Sequence, residues 1–177
     1  MKTIQAKPLN FEDYQNYGGV VSARDELKPF PVNQGTAQRF NHAATLENLR
    51  PGKAKPNLCV FRSDPVKNSP FEIHLLEKHP YSTQTFIPMA GSKRFLVIVC
   101  LGDDNPDLNT LRAFVATNAQ GISYKPGTWH HPLIALDETT DFACLVWEDG
   151  SAGDYTEKKL DSPIYVHWSS SVEKPIS

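Results

Sequence analysis

Short runs of β-branched and aromatic residues, separated by turn residues at roughly ten-residue intervals, limit most strongly what this chain can fold into. Fourteen of its 177 residues are proline, and their spacing leaves little room for helices. Nine runs have the composition of strands: 58–62, 71–76, 83–87, 94–101, 111–117, 121–124, 132–136, 142–147 and 164–168. Strands at this spacing predict an all-β fold, an antiparallel sandwich or barrel.

One or two short helices fit into the remaining sequence. Asn10 is suited to cap a helix, because Glu12 and Asp13 would then lie in its first turn. A second short helix is predicted over residues 44–49. No linker or low-complexity segment divides the chain, so residues 1–177 are predicted to form a single domain.

Charge and cysteine content narrow the class of protein. Lys and Arg number 18 against 20 Asp and Glu, which provides no basic surface for nucleic acid. The three cysteines, Cys59, Cys100 and Cys144, lie in apolar runs, where reduced thiols behave as small hydrophobic groups. No apolar run approaches the length of a membrane span. We therefore expect a cytoplasmic protein without a nucleic-acid or membrane partner.

Histidines are concentrated in two segments, 72–79 and 129–131. Residues two apart on a strand face the same side, so Glu77 and His79 can point at one site. Histidine and carboxylate side chains that converge on strands indicate a metal site or a proton-transfer site.

The spacing of these residues resembles the cupin motifs. The first segment reads Glu77-x-His79-x4-Gln84-x6-Gly91, and residues 127–130 resemble the Gly-x-x-His of the second motif. Glu77 stands where that motif has a histidine, and Gln84 where it has a carboxylate. The resemblance implies a double-stranded β-helix barrel whose mouth holds Glu77, His79, Gln84 and His130 as ligands of a weakly bound divalent metal ion.

Longer stretches resemble the ureidoglycolate lyase family, namely 74–80, 83–89, 101–108, 110–114 and 129–133. The resemblance extends from about Leu9 to Phe142, and the sequence after Trp147 is read as a variable tail. It implies a homodimeric, cupin-like enzyme of allantoin degradation that splits ureidoglycolate into glyoxylate and urea. It also implies nickel as the metal in some members, and no organic cofactor is expected.

Elimination of urea requires a base, an acid and a group that holds the substrate carboxylate. His79 and His130 are expected to transfer protons, since histidine titrates near neutral pH. Tyr124, at the end of a predicted strand, is expected to donate a hydrogen bond to a carbonyl oxygen. Arg39 and Arg62 match arginines of the family, and the guanidinium fork suits a carboxylate.

Three further residues are expected to contact the substrate: Gln84, Phe86 and Trp129. The two aromatic residues among them would also exclude water by packing. By contrast, His131 faces the opposite side of its strand from His130 and is expected to be structural.

Two other functions remain open at this level. One is a ureidoglycolate amidohydrolase that releases ammonia, although such an enzyme needs a firmly held metal for which the chain offers no complete ligand set. The other is a non-enzymatic cupin that binds a small organic acid. Product analysis separates the three functions, since urea appears only with the lyase.

Overall fold

The computed structural model describes residues 2–169, and this part of the chain is built mainly of strands. In chain order the strands are β1 (Lys2–Gln5), β2 (Lys7–Pro8), β3 (Gly18–Val21), β4 (Phe30–Val32), β5 (Ala37–Arg39), β6 (Lys55–Ser63), β7 (Phe71–Lys78), β8 (Gln84–Pro88), β9 (Arg94–Leu101), β10 (Asp107–Thr117), β11 (Gly121–Tyr124), β12 (Trp129–His130), β13 (Ile134–Ala135), β14 (Thr140–Glu148) and β15 (Thr156–His167). All nine predicted strands are confirmed, and 94–101 and 121–124 have the predicted bounds.

The strands form two facing sheets and a separate hairpin. The larger sheet has eight strands in the order β1-β15-β7-β12-β9-β10-β2, with β13 also paired to β9. The smaller sheet has five, in the order β3-β11-β8-β14-β6, and β4 pairs only with β5. The two sheets pack face to face in a nearly closed barrel, so the predicted cupin-like fold is confirmed.

Strand β9 lies at the centre of the packing because it is apolar on both faces. Val97 and Val99 point into the barrel, where they join Phe114 of β10 and Phe142 of β14. Leu96, Ile98 and Cys100 point the other way and pack with Ile73, Trp129 and Ile164 in a second cluster. A strand buried on both faces gives a continuous apolar run, which explains why the sequence marks it so clearly.

The smaller sheet is apolar and buried along its inner face, whereas its outer face is buried around Thr85 and Ser123 and exposed elsewhere. Phe86, Ile122, Phe142 and Cys144 from its strands are buried in the barrel interior. The outer face exposes Leu58, Val60 and Ile87, the first with 74% of its surface accessible. Since β6 is an edge strand, this sheet presents both an unpaired edge and an apolar face to solvent.

Among residues 2–169 there is one α-helix, α1 (Phe11–Tyr14), with two single 3-10 turns at Asp25–Leu27 and Asn33–Gly35. Asn10 caps α1 as predicted, with its side chain accepting from the Asp13 N–H. The helix predicted over residues 44–49 is not formed. Its segment pairs instead with residues 81–83: Leu49 N–H donates to the Tyr81 carbonyl, and Glu47 accepts from Thr83 N–H.

The segment after Trp147 is part of the barrel rather than a variable tail. Strand β15 pairs with β7 along most of its length and in parallel with β1 at its end. Pro163 falls where the pairing register of β15 shifts, a position at which a missing N–H costs no ladder bond. Residues 170–177 lie outside the described residues.

The three cysteines are free thiols, with Cys100 and Cys144 buried and Cys59 half-buried. Within residues 2–169, no helix has the length and hydrophobicity needed to cross a bilayer.

Candidate active site

Glu77, His79 and His130 converge at one end of the barrel because of the pairing of β7 with β12. His130 lies directly opposite Glu77 in that pairing, so the two side chains point to the same side of the sheet. His79 follows the end of β7, and its carbonyl accepts from the Gly127 N–H at 2.9 Å. Gly127 has a φ of +79°, a conformation that few residues other than glycine adopt, and the turn it forms leads into β12.

The two imidazoles lie side by side with fixed orientation. Their ring centroids are 5.9 Å apart, and the planes are within 15° of parallel. On its other side His130 stacks on Tyr124, with centroids 3.9 Å apart and planes 11° from parallel. This places the two histidines close enough to bind one metal ion, or to act on one small substrate, between them.

Backbone carbonyls determine which nitrogen of each histidine is free. Nδ1 of His79 lies 3.0 Å from the Asp154 carbonyl, and Nδ1 of His130 lies 2.9 Å from the Thr128 carbonyl. A carbonyl only accepts, so both Nδ1 atoms must carry the proton and both Nε2 atoms hold a lone pair when the ring is neutral. Carbonyls that orient ring nitrogens in this way are common around metal-binding and catalytic histidines.

The free nitrogens and one carboxylate form a compact donor set. One ligand atom from each of Glu77, His79 and His130 lies within 4.8 Å of the others. Nε2 of His130 is 3.6 Å from Glu77 Oε1, and it is buried without a hydrogen-bond partner among the described atoms. A buried nitrogen lone pair without a donor indicates a site prepared for an exogenous group. Two imidazoles and a carboxylate could hold a divalent metal ion.

Burial and mutual charge set the protonation of the site. Burial, followed by the neighbouring His130, lowers the pKa of His79 below the ordinary histidine value. Burial raises the pKa of Glu77, but the nearby His130, at 3.6 Å, and the charges of His79 and His131 lower it by more, so that the net shift of the pKa is downward. The net effect keeps Glu77 ionised and His79 neutral near pH 7.

The site lines a cavity of about 350 Å³ between the two sheets. Gln84, a position of the first motif, and Phe86 lie on β8 and line this cavity. Cys59 and Phe61 of β6 form the wall toward the open side. Gln84 Oε1 is also buried without a partner among the described atoms, so it can accept a hydrogen bond from a bound ligand.

Tyr124 lies behind His130 rather than among the residues that line the cavity. Its side chain is buried, and its hydroxyl has no partner among the described atoms. Burial, together with the charge of Glu77, raises its pKa well above the ordinary value. Tyr124 therefore remains protonated and able to donate at any physiological pH.

The predicted arginines are placed differently from one another. Arg62 lies at the cavity rim, where Nε and Nη2 donate to the two carboxylate oxygens of Asp141 at 2.7 and 2.9 Å. Arg39 lies outside this cavity, beside a separate concave surface bounded by the end of β3 and the β4–β5 hairpin.

Trp129 of β12 and His131, which follows the strand, face away from the site. Trp129 is fully buried in the cluster on the outer side of the larger sheet, with its Nε1 donating to the Asp103 carbonyl. His131 faces the same way and contacts the edge of Phe71 with its ring. Neither lines the cavity that holds His79 and His130.

Sequence reasoning did not anticipate the support behind His79. Arg50 bonds to Asp149 at 2.7 Å and to Asp154, and thereby fixes the loop whose Asp154 carbonyl holds His79 Nδ1. Arg50 also lies over the Tyr81 ring at 4.9 Å. The two ion pairs of Arg50 join residues about a hundred positions apart in the sequence. In the sequence, only the turn residues at 149–150 indicated a loop there.

Comparison with known proteins gives a consistent result. A family model described as ureidoglycolate lyase matches residues 1–167. Ureidoglycolate lyases of Escherichia coli O157:H7 and of Shigella flexneri are each 42% identical to the chain over 142 residues, which cover 80% of this chain and 86% of theirs. The family match therefore includes β15, beyond the extent of the resemblance read from sequence motifs.

Solved structures with a similar chain path include nucleotide-sugar isomerases. A dTDP sugar isomerase from Desulfovibrio desulfuricans G20 has a TM-score of 0.44 and 13% identity, covering 81% of this chain and 85% of that chain. A TDP-quinovose 3,4-ketoisomerase from Campylobacter jejuni has a TM-score of 0.40 and 15% identity, covering 78% and 90%.

Proposed function

The chain belongs to the ureidoglycolate lyase family, and we propose that it eliminates urea from ureidoglycolate at the cavity that holds Glu77, His79 and His130. The observation that carries this assignment is the convergence of one carboxylate and two free Nε2 atoms within 4.8 Å. We place the reaction in allantoin degradation, where glyoxylate and urea are its products. The alternatives of an ammonia-releasing amidohydrolase and a non-catalytic binding protein are not favoured by the family match.

The reaction requires two proton transfers. The hydroxyl of the substrate loses its proton as the carbonyl of glyoxylate forms, and the ureido nitrogen gains a proton as the carbon–nitrogen bond breaks. His79, neutral and with Nε2 free, is placed to accept the hydroxyl proton. His130, paired with the Glu77 carboxylate at 3.6 Å, is placed to hold the proton that the leaving nitrogen needs.

The remaining residues bind and orient the substrate. Gln84 Oε1 has a free lone pair for an N–H of the ureido group. Phe86 forms an apolar wall that excludes water from the reacting carbon. The stacked Tyr124 ring holds the plane of His130, so the imidazole reaches the substrate in one orientation.

The same three groups fit a divalent metal ion. Glu77, His79 and His130 would hold it, and imidazole with carboxylate suits nickel and neighbouring transition metals. When bound, such an ion supplies positive charge to the substrate hydroxyl and carboxylate. An Nε2 lone pair that binds a metal ion cannot accept a proton, so the two roles of the histidines exclude each other. Three protein ligands predict weak, exchangeable binding of the ion.

Quantifying both products with and without chelation tests the reaction and the metal together. Purified protein incubated with ureidoglycolate should release urea and glyoxylate in equal amounts without ammonia. Activity that falls on chelation and returns with added nickel would assign the histidines as ligands, whereas unchanged activity would assign them to proton transfer. Release of ammonia, or of neither product, would contradict the proposed function.

We also propose that the protein is a homodimer that works in the cytoplasm. The outer face of the smaller sheet exposes Leu58, Val60 and Ile87, and an apolar face of this kind is usually covered in the native assembly. The free thiols are consistent with a reducing compartment. Sedimentation should give about twice the 19.8 kDa chain mass, and Val60→Asp should give a mass near that of one chain. A parental mass of one chain would contradict the dimer.

A further inference from the structure

We infer that Arg39 acts in trans, as the group on one chain that holds the substrate carboxylate in the active site of a second copy. The inference rests on the proposed function and adds a residue to the same site. It starts from a segment of the chain that contributes no buried residue to its own barrel.

That segment, residues 22–46, is called the arm here. None of the residues from 21 to 53 is buried, although Phe30, Leu46 and Leu49 within this stretch are large and apolar. The arm contains the β4–β5 hairpin, whose strands pair only with each other. A stretch of this length with exposed apolar side chains and no buried residue is expected to be covered by another surface.

Backbone conformation supports the same conclusion. Lys28, Asn33, Gln34 and His42 have φ between 50° and 58°, and they are all the non-glycine residues with positive φ that residues 2–169 contain. This conformation is unfavourable for a residue with a side chain, and it persists only where surrounding contacts define it. The barrel of the same chain provides no buried contact for them, so a partner surface is expected to do so.

The side chains that line the active-site cavity carry little positive charge. Arg62 is the only Lys or Arg among the residues that line the cavity, and Asp141 occupies both sides of its guanidinium fork. The other charged residues of the lining are Glu77 and Glu148. A substrate carboxylate that enters this cavity therefore needs a cation that its own chain does not supply.

Arg39 is a free cation of the required kind. Its side chain is exposed, and it has no hydrogen bond or ion pair within the described part of the chain. It lines a concave surface of about 730 Å³ between the hairpin and the end of β3. Guanidinium binds a carboxylate with two parallel hydrogen bonds, so one Arg39 would complete the site.

The order of strands in the smaller sheet shows how Arg39 of a second copy can reach the cavity. The arm leaves the smaller sheet at β3, which is one edge, and the cavity opens beside β6, which is the other edge. If two copies pack their exposed outer faces about a two-fold axis parallel to the strands, β3 of one chain lies across from β6 of its partner. The exposed Leu58 and Val60 of β6 would then meet the concave surface of the partner's arm.

Heterodimers with two different tags test the inference directly. In the split heterodimer, one chain carries Arg39→Ala and the other His130→Ala. In the joined heterodimer, one chain carries both substitutions and the other carries none. If Arg39 acts in trans, the split heterodimer keeps one intact site and about half of the parental activity, and the joined heterodimer has almost none. If Arg39 acts within its own chain, the two results are exchanged.

Homodimers of each single variant serve as controls, with substrate kept below KM so that weaker binding appears as lost activity. An Arg39→Ala homodimer should lose at least about tenfold in kcat/KM, and Arg39→Lys should recover part of it. Equal activity in the split and joined heterodimers, or recovery of no doubly tagged species, would overturn the inference. An active His130→Ala homodimer would instead refute the proposed site, so the two failures are distinguishable.

Discussion

The two sheets of the barrel differ in how completely they are buried. The larger sheet is buried on both faces along β9, whose side chains contribute to the barrel interior and to the cluster around Ile98 and Trp129. The smaller sheet is buried along its inner face and exposes Leu58, Val60 and Ile87 on the other. Glu77 and His130 belong to the larger sheet, where His130 pairs with both β7 and β9.

Glu77 and His130 thus lie in the sheet whose central strand is buried on both faces. A preorganised site requires side chains that do not shift between states, and such burial restricts their movement. A cation that binds the substrate carboxylate can come from a less rigid element, because that carboxylate does not react. The expected effects below follow from this difference between the sheets.

Loss of a site histidine should have the largest effect. His79→Ala and His130→Ala should each reduce kcat by about 10²- to 10⁴-fold, because each removes a group that moves a proton or binds the metal. His131→Ala is the matched control, since His131 faces Phe71 on the other side of the same strand region. Steady-state kinetics on the folded variants measures this effect. A near-parental kcat in both site variants would show that neither His79 nor His130 takes part in catalysis.

Equivalent truncations on the two sheets should differ in stability. Ile98→Ala deletes a side chain with 1% exposure between β9 and the outer cluster, and should lower the free energy of unfolding by about 2–5 kcal/mol. Ile87→Ala deletes one with 46% exposure and should cost less than about 1 kcal/mol. Denaturant unfolding in the Val60→Asp background, where the chain is expected to be a monomer and Ile87 exposed, measures both, and similar losses would contradict the difference between the sheets.

The support behind His79 should have a smaller effect on catalysis. Arg50→Ala releases the loop whose Asp154 carbonyl fixes His79 Nδ1, and we expect kcat to fall by about 10- to 100-fold with KM changed less. Arg94→Ala removes a comparable ion pair to Asp137 and serves as the control, because neither residue lines the cavity. Equal kinetics for the two variants would show that Arg50 has only a structural role.

The smallest effect is expected at the rim of the cavity. Arg62 is engaged with Asp141 and its side chain is 73% exposed, so Arg62→Lys should raise KM by less than about threefold. The matched substitution Arg39→Lys should raise KM by about three- to tenfold, less than Arg39→Ala, since it keeps the charge but removes the free guanidinium fork. A larger change in KM at Arg62 than at Arg39 would indicate that Arg62 binds the substrate carboxylate.

Much of the barrel was predictable because its strands carry their own signal. The run at 95–101 is apolar throughout, and 95–100 are buried on both faces of the sheet; 121–124 begins with a glycine and ends at a turn. Helical spacing at 44–49 misled because Leu49 and Glu47 bond to residues 81–83, a tertiary contact that overrides local preference. The first half of β15 was missed because it is polar and exposed, whereas its second half coincides with the run predicted at 164–168.

The site was predictable only in part. Motif spacing marked Glu77, His79, Gln84 and His130, and these residues do line one cavity. Motif spacing alone did not exclude Trp129 from the site. Trp129 and His130 are neighbours on β12 and face opposite sides of the sheet, as the alternation of side chains along a strand requires. Motif spacing also cannot show that Arg50 and Asp154 meet, since that ion pair joins residues far apart in sequence.

The central claim is that His79 and His130 present free Nε2 atoms to one substrate, and nuclear magnetic resonance of ¹⁵N-labelled histidine side chains tests it most directly. The account predicts a proton on Nδ1 of both residues, and a joint shift of both Nε2 signals when the product glyoxylate is added, with His131 unchanged. Protonation of Nε2 in place of Nδ1, or a response confined to histidines outside the cavity, would contradict it.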